Sequence, residues 1–163
     1  MAILAGIEGL GSHPESIPKT AVFQGASQLT LDGKGRISIP SRYRDVLMAQ
    51  CDGRLTLTRH PDGCLLVYPR PVWEARRETV AVLPYDARAL QRLLLGNAAD
   101  AEIDSAGRVL VPPELRAAAR LERDVMLLGM ATHFELWDLA RLAELEKTPP
   151  TQPLPESAAS FSF

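Results

Sequence analysis

The sequence predicts an α+β fold, with a strand-rich core and peripheral helices, and three observations carry that prediction. The middle of the chain repeats itself. Each copy alternates period-2 apolar segments with short helical ones. Each copy is also too small to bury its apolar face alone, because a lone hairpin is marginal in water. The repeat is clearest where Asp32-Gly33-Lys34-Gly35-Arg36-Ile37-Ser38-Ile39-Pro40 is echoed by Asp104-Ser105-Ala106-Gly107-Arg108-Val109-Leu110-Val111-Pro112, an offset of 72 residues. Four residues on, Arg44 is echoed by Arg116. The match then loosens: Leu55-Thr56-Leu57 answers Val125-Met126-Leu127, and Leu66-Val67-Tyr68 answers Glu135-Leu136-Trp137. Internal repetition ranks above any single motif, since it sets the architecture. It predicts two interleaved modules sharing a core of six to seven strands.

In the first copy, Leu29 and Leu31 alternate with polar neighbours, as do Ile37 and Ile39, which reads as strand, turn, strand. The Asp-Gly-x-Gly stretch between them is the turn, because glycine supplies positive φ and aspartate bonds nearby backbone. Pro40 suits the first turn of a helix reaching about Ala49, and Pro112-Pro113 opens its counterpart to about Ala119. Leu55 to Thr58 and Leu65 to Tyr68 form a hairpin around Pro61-Asp62-Gly63. Pro71 starts a helix carrying Trp73 and Val80. Tyr85 to Leu95 is a further helix with Leu90, Leu93 and Leu94 on one face and Arg88 and Arg92 a turn apart. A last helix, from about Asp138 to Lys147, buries Leu139, Leu142 and Ala143.

The divisions expected are an N-terminal extension over 1–21, a first domain over 22–95, a second over 96–147 and a C-terminal tail over 148–163. The first segment is rich in glycine and proline without periodicity, and Pro149, Pro150, Pro153 and Pro155 oppose a helix in the last. Both are expected to be disordered. Across the 163 residues, 46% are hydrophobic, enough to support a core. The net charge of −2 is not that of a strongly basic nucleic-acid binder, so cations would have to act locally and be repeated by self-association. Cys51 and Cys64, with twelve residues between them, read as free, partly buried thiols. No apolar run approaches the roughly 20 residues of a membrane helix. The apolar start reaches Glu8 without a preceding Lys or Arg, unlike a secretory signal, so a cytoplasmic protein is expected.

Candidate chemistry concentrates at the first turn and the helix after it. From Asp32 to Arg44, Lys34, Arg36, Arg42 and Arg44 stand against one carboxylate, whereas the matching stretch sets Arg108 and Arg116 against Asp104 and Glu114. The contrast suggests divided labour, with the first copy presenting cations and the second completing the fold. Guanidinium groups on a β-hairpin can reach phosphates and guanine edges together, and two-stranded β-readers of the major groove are an established geometry. Lys34 and Arg36 would sit at the hairpin tip, and Arg42 and Arg44 at the helix start, against phosphates. The bland alternatives are concrete. Asp32 can simply pair with Arg36, and Asp104 with Arg108, across their turns, while Lys34, Arg42 and Arg44 can be a solvated face. Gly35 and Gly107 are backbone requirements of the turns. His13, His60 and His133 are scattered, so no metal site is expected. There is no phosphate loop or dinucleotide fingerprint, and Ser41 has no evident base, so neither a cofactor nor an enzymatic site is expected. Trp73 and Trp137 read as core or interface aromatics.

These stretches, with Val22-Phe23-Gln24-Gly25-Ala26, Leu94-Leu95-Gly96-Asn97-Ala98 and Phe134-Glu135-Leu136-Trp137, closely resemble the MraZ family over about residues 22–147. The resemblance implies tandem AbrB-like swapped-hairpin β-barrel domains. It also implies a transcriptional regulator of the bacterial division and cell-wall gene cluster, binding promoter direct repeats of double-stranded DNA as a ring-like homo-oligomer on the nucleoid. By motif it assigns DNA contact to Arg36, with Asp32 and Lys34 in the same motif and Asp104 and Arg108 in its second copy. Family members begin Met-Phe-x-Gly where this chain has Val22-Phe23-Gln24-Gly25, so residues 1–21 are expected to precede an alternative start at Val22. The competing reading is an antitoxin-like or scaffold module on the same fold, in which apolar or acidic surfaces would matter more than Arg36.

Overall fold

The computed structural model describes residues 22–148, 155–158, 160 and 161. The expected N-terminal extension lies outside these residues, as does most of the C-terminal tail, where a short 3-10 turn spans Glu156–Ala158. The elements run β1 (Phe23–Thr30), β2 (Arg36–Ser38), α1 (Ser41–Cys51), β3 (Arg54–Arg59), β4 (Leu65–Pro69), α2 (Arg70–Ala81), a 3-10 turn (Tyr85–Ala87) and α3 (Arg88–Gly96). The second copy follows with β5 (Ala99–Glu102), β6 (Arg108–Leu110), α4 (Pro113–Ala118), β7 (Asp124–Ala131), β8 (Phe134–Asp138) and α5 (Leu139–Glu146). The class is α+β, as expected.

The strands form one antiparallel six-stranded sheet in the order β1-β7-β8-β4-β3-β5 and a separate two-stranded ribbon, β2-β6. The shared core is thus built from eight strands in two layers rather than the expected six to seven. Interleaving is complete: β1 pairs β7, β2 pairs β6, β3 pairs β5 and β4 pairs β8, so each first-copy strand has a second-copy partner. The leading strand-turn-strand is therefore not a hairpin. β1 and β2 leave the Asp32 turn into different sheets, each pairing with a strand of the other copy. Ribbon and sheet share one core, in which Ile37 and Val109 meet Leu47, Leu55, Leu57, Leu127 and Leu136.

The repeat equivalences hold in detail. Leu55 and Leu57 on β3 and Val125 and Leu127 on β7 are all fully buried. Thr56 and Thr58 alternate with the leucines, and each hydroxyl finds a partner, Asp100 Oδ1 at 2.8 Å and the Leu94 carbonyl at 2.6 Å. The unbroken Leu65-Leu66-Val67-Tyr68 run reflects burial on both faces of β4, the core on one side and Trp73, Leu94 and Leu95 on the other. Trp137 packs with Cys64 and Leu142. Both tryptophans are thus core residues, and both cysteines are free and buried.

Two helix faces differ from expectation. On α3 the buried residue is Gln91, while Leu90 is 36% exposed. The Gln91 amide donates to the Val80 carbonyl at 2.9 Å and to those of Ala81 and Leu83 at 3.3 Å each, adding a side-chain donor to the carbonyls at the end of α2. A polar cap takes the inward position that periodicity assigned to leucine. On α5 only Leu142 is buried and Ala143 is exposed. Asp138 serves as its N-cap, accepting from the Arg141 amide at 3.2 Å and from the Glu122 amide at 3.1 Å. Pro40 stands one place ahead of α1 as N-cap rather than inside its first turn.

Candidate nucleic-acid interface

The ribbon is built from the two repeated motifs, one from each copy. Its register sets Arg36 opposite Leu110, Ile37 opposite Val109 and Ser38 opposite Arg108. Amides beyond the ladder extend it, Ile39 N–H to the Gly107 carbonyl and Val111 N–H to the Gly35 carbonyl, each at 2.9 Å. Ile37 and Val109 are each 1% exposed and face the core. Strand alternation therefore puts Arg36, Ser38, Arg108 and Leu110 together on the other face. Arginines of both copies thus share one ribbon, Arg36 from the first and Arg108 from the second.

A tight turn closes each end of the ribbon. In the first, the Lys34 and Arg36 amides both donate to Asp32 Oδ1 at 2.9 Å, and Arg36 Nε donates to Oδ2 at 2.7 Å. In the second, the Ala106 and Arg108 amides donate to Asp104 Oδ1 at 2.9 Å, and Arg108 Nε to Oδ2 at 3.1 Å. Each aspartate is a turn former that also holds its arginine by Nε. The terminal nitrogens of Arg36 have no partner among the described residues, and Lys34 is exposed at the turn.

The two helix arginines separate. Arg42 is exposed beside β1, donating to Ser27 Oγ at 2.7 Å and to the Tyr43 hydroxyl at 2.9 Å, with its guanidinium 4.6 Å from the Tyr43 ring centre. Arg44, expected at a phosphate, is turned inward. Its Nη2 donates to the Ile39 carbonyl at 2.8 Å, and its Nε is buried without a partner. It packs on the second turn, where a Cβ on Gly107 would lie 2.2 Å from its Cζ. Its echo Arg116 does the same to the first turn, 2.3 Å from a Cβ placed on Gly35. Each copy's arginine braces the other copy's turn. The repeat offset that pairs Arg44 with Arg116 carried this signal, but only the crossed topology reveals its meaning.

A model of the family described as "MraZ protein, putative antitoxin-like" matches residues 22–93 and 94–159. Proteins named "Transcriptional regulator MraZ" are similar over 142 residues, covering 87% of this chain and all of theirs. They are 64% identical in Bordetella pertussis, 60% in Herminiimonas arsenicoxydans and 58% in Ralstonia pickettii. The chain belongs to the MraZ family. The two matched segments are the two copies whose strands interlock, so the MraZ unit here is a tandem pair. Among the described residues no helix is long and apolar enough to cross a membrane, and no cluster of three or more His, Cys, Asp or Glu could hold a metal ion.

The turn aspartates are expected to make this MraZ ribbon sensitive to acid. Asp32 is lowered from 3.8 to about 2, first by the Arg36 amide, then by the Arg36 side chain and the Lys34 amide, against an opposing desolvation. Asp104 is lowered by its equivalent partners, the Arg108 amide first. A depressed folded pKa means that the stabilisation is complete above the ordinary carboxylate value and is lost as pH falls through the folded one. The wild type is expected to lose urea resistance between about pH 4 and pH 2. A D32N/D104N variant should lose less over that window, and an equal loss would show that neither turn contributes.

Gly35 and Gly107 combine φ values of 80° and 77° with the arginine packed on each. Gly107→Ala is expected to cost about 1–3 kcal/mol, since it adds left-handed strain and displaces Arg44 from its bond to Ile39. Gly33, where an added Cβ would meet nothing within 4 Å, is the control: Gly33→Ala should stay within about 0.5 kcal/mol. Thermal melts of the two variants check both values.

Proposed function

We propose that the chain is a DNA-binding transcriptional regulator that reads double-stranded DNA with the β2-β6 ribbon. The observation that carries this reading is the outer ribbon face, where Arg36 and Arg108 stand together with Lys34 at one end and neither ribbon strand holds a carboxylate. A two-stranded ribbon fits a major groove, and a guanidinium fork reads guanine edges there. Lys34 and Arg42 supply phosphate contacts that set register. The relatives named transcriptional regulators support the same role.

The finer reading follows the family: promoter direct repeats ahead of the division and cell-wall gene cluster, engaged by a ring of copies on the nucleoid of the cytoplasm. Self-association answers the net charge of −2 by repeating one small basic patch along a face, so that linked weak contacts gain effective concentration. The exposed apolar elbow between α2 and α3, with Val82 and Tyr85 each 81% exposed, favours contacts between copies.

The test is a gel-shift series on the protein's own upstream region against a scrambled duplex at several salt concentrations, with native mass spectrometry of the complex. Tighter binding to the upstream fragment, a steep fall with salt and a multi-copy complex are expected. Equal binding to both duplexes would reject promoter reading. Failure on any DNA, together with recovery of a stoichiometric protein partner, would favour the antitoxin-like or scaffold reading.

A further inference from the structure

Beside the first turn lies an open cleft of about 800 Å³. Thr30, Leu31, Asp32 and Gly33 form one wall, and Arg116, Arg120, Glu122 and Arg123 of the second copy form the other. Three arginines therefore converge on the turn that carries Lys34 and Arg36, although none of them belongs to the first copy. Arg120 and Arg123 are exposed, and no ion pair holds Arg116, Arg120 or Arg123 among the described residues. The guanidinium of Arg116 lies against Gly35, with a buried Nε that has no hydrogen-bond partner. Of the two carboxylates here, Asp32 is already held by two amides and Arg36, which leaves Glu122 as the one uncommitted acid.

The molecule contains its own comparison. At the 72-residue offset, Thr30, Asp32, Arg116 and Ala117 correspond to Glu102, Asp104, Arg44 and Asp45; α4 then ends at Ala118 where α1 runs on to Cys51, and the left-handed residue that follows is Arg120 in one copy and Asp52 in the other. The positions that answer Thr30, Ala117 and Arg120 are thus Glu102, Asp45 and Asp52, all acids. The fold requirement common to both turns is the bracing arginine, Arg116 or Arg44. Arg120 and Arg123 are not needed for it: the bond that Leu31 N–H makes to the Arg123 carbonyl is made in the other copy by Ile103 N–H to Gly53, which has no side chain, so the two cations at the first turn point to a ligand there.

We infer that this cleft binds a backbone phosphate of the DNA, immediately beside the bases the ribbon reads. The inference rests on the DNA-binding reading and extends it. The reader of the first turn becomes a joint structure in which Lys34 and Arg36 come from one copy and the flanking phosphate clamp from the other. Arginine suits the task because its planar fork can grip a phosphate by two parallel bonds. Contacts of this kind carry no sequence information, so the clamp adds affinity and register without preference.

The test uses the full chain with Arg120→Asn and Arg123→Gln combined. Asparagine tolerates the φ of 52° at position 120, and both positions are exposed, so the melting temperature should match wild type. Binding to the upstream fragment and to a scrambled duplex is measured across salt. The variant should weaken on both duplexes by the same factor, and the slope of log affinity against log salt should flatten by about 0.9 per chain, for the one lost phosphate contact. An unchanged slope while wild type still binds would overturn the clamp and leave the ribbon reading standing. A variant that loses promoter preference at constant slope would also overturn it, placing these arginines on bases. If wild type binds neither duplex, the DNA-binding reading fails and the clamp with it.

Discussion

Arg36→Ala is expected to remove most of the preference for promoter over scrambled DNA, by about 10- to 100-fold for each base pair the guanidinium reads. Because repeated sites engage several copies at once, the loss compounds across an assembly. The fold should survive. Asp32 keeps two backbone donors, the amides of Lys34 and residue 36, and the Ile37 position that anchors the ribbon to the core is untouched. The informative contrast is Lys34→Ala, which should weaken all duplexes alike, since a point charge at the turn meets phosphate rather than a base edge. Competition binding against both duplexes, beside a thermal melt, reads the two variants. Undiminished promoter preference in Arg36→Ala would remove the ribbon from the reading of sequence.

The second large effect lies away from the charged face. Phe134→Ala is expected to cost about 3–5 kcal/mol, from lost transfer energy and the cavity left behind. Phe134 is 1% exposed, with its ring centre 4.4 Å from that of Phe23 and 5.0 Å from that of Tyr43. It therefore joins β1, α1 and β8 at one point. A domain of this size is stable by about 5–15 kcal/mol, so the variant would sit close to unfolding. The loss also reaches the candidate interface, because the Tyr43 hydroxyl donates to the Gln24 carbonyl and accepts from Arg42. Denaturant titration should show a lower midpoint, and Arg42-dependent affinity for any duplex should fall in the folded fraction. A cost under about 1 kcal/mol would mean that the aromatic trio is not a keystone of the core.

Much of this was readable from residues alone, for physical reasons that also mark the limit. Gly35 and Gly107 announced turns because positive φ is a local demand, and both turns are present. Leu55, Leu57, Val125 and Leu127 announced core strands because burial on a strand has a period of two. The Asp32–Arg36 and Asp104–Arg108 pairs span four residues and were visible as turn-closing ion pairs. Partnership at a distance left no such trace. Nothing in Leu29 to Ile39 says that the strands on either side of the Asp32 turn will part into different sheets. The inward path of Arg44, and the gathering of Arg116, Arg120 and Arg123 beside a turn more than 80 positions earlier, depend on that parting. Gln91 was missed for a related reason: helical periodicity weighs apolar side chains, whereas the end of α2 needed a donor.

The crossed pairing has a consequence for synthesis. β1 has no mate until β7, residues Asp124–Ala131, has left the ribosome, and β2 waits for β6 at Arg108–Leu110. A nascent first half can close its β3-β4 hairpin and little else, holding an unpaired eight-residue edge through most of translation. Long-range pairing of this kind folds slowly, because loop closure must precede any gain in contact. The same nascent edge could pair with a β7 from a neighbouring polypeptide on the same message by the same backbone bonds. The tether between the halves, α2 to α3, favours the chain's own β7 by holding it at high effective concentration.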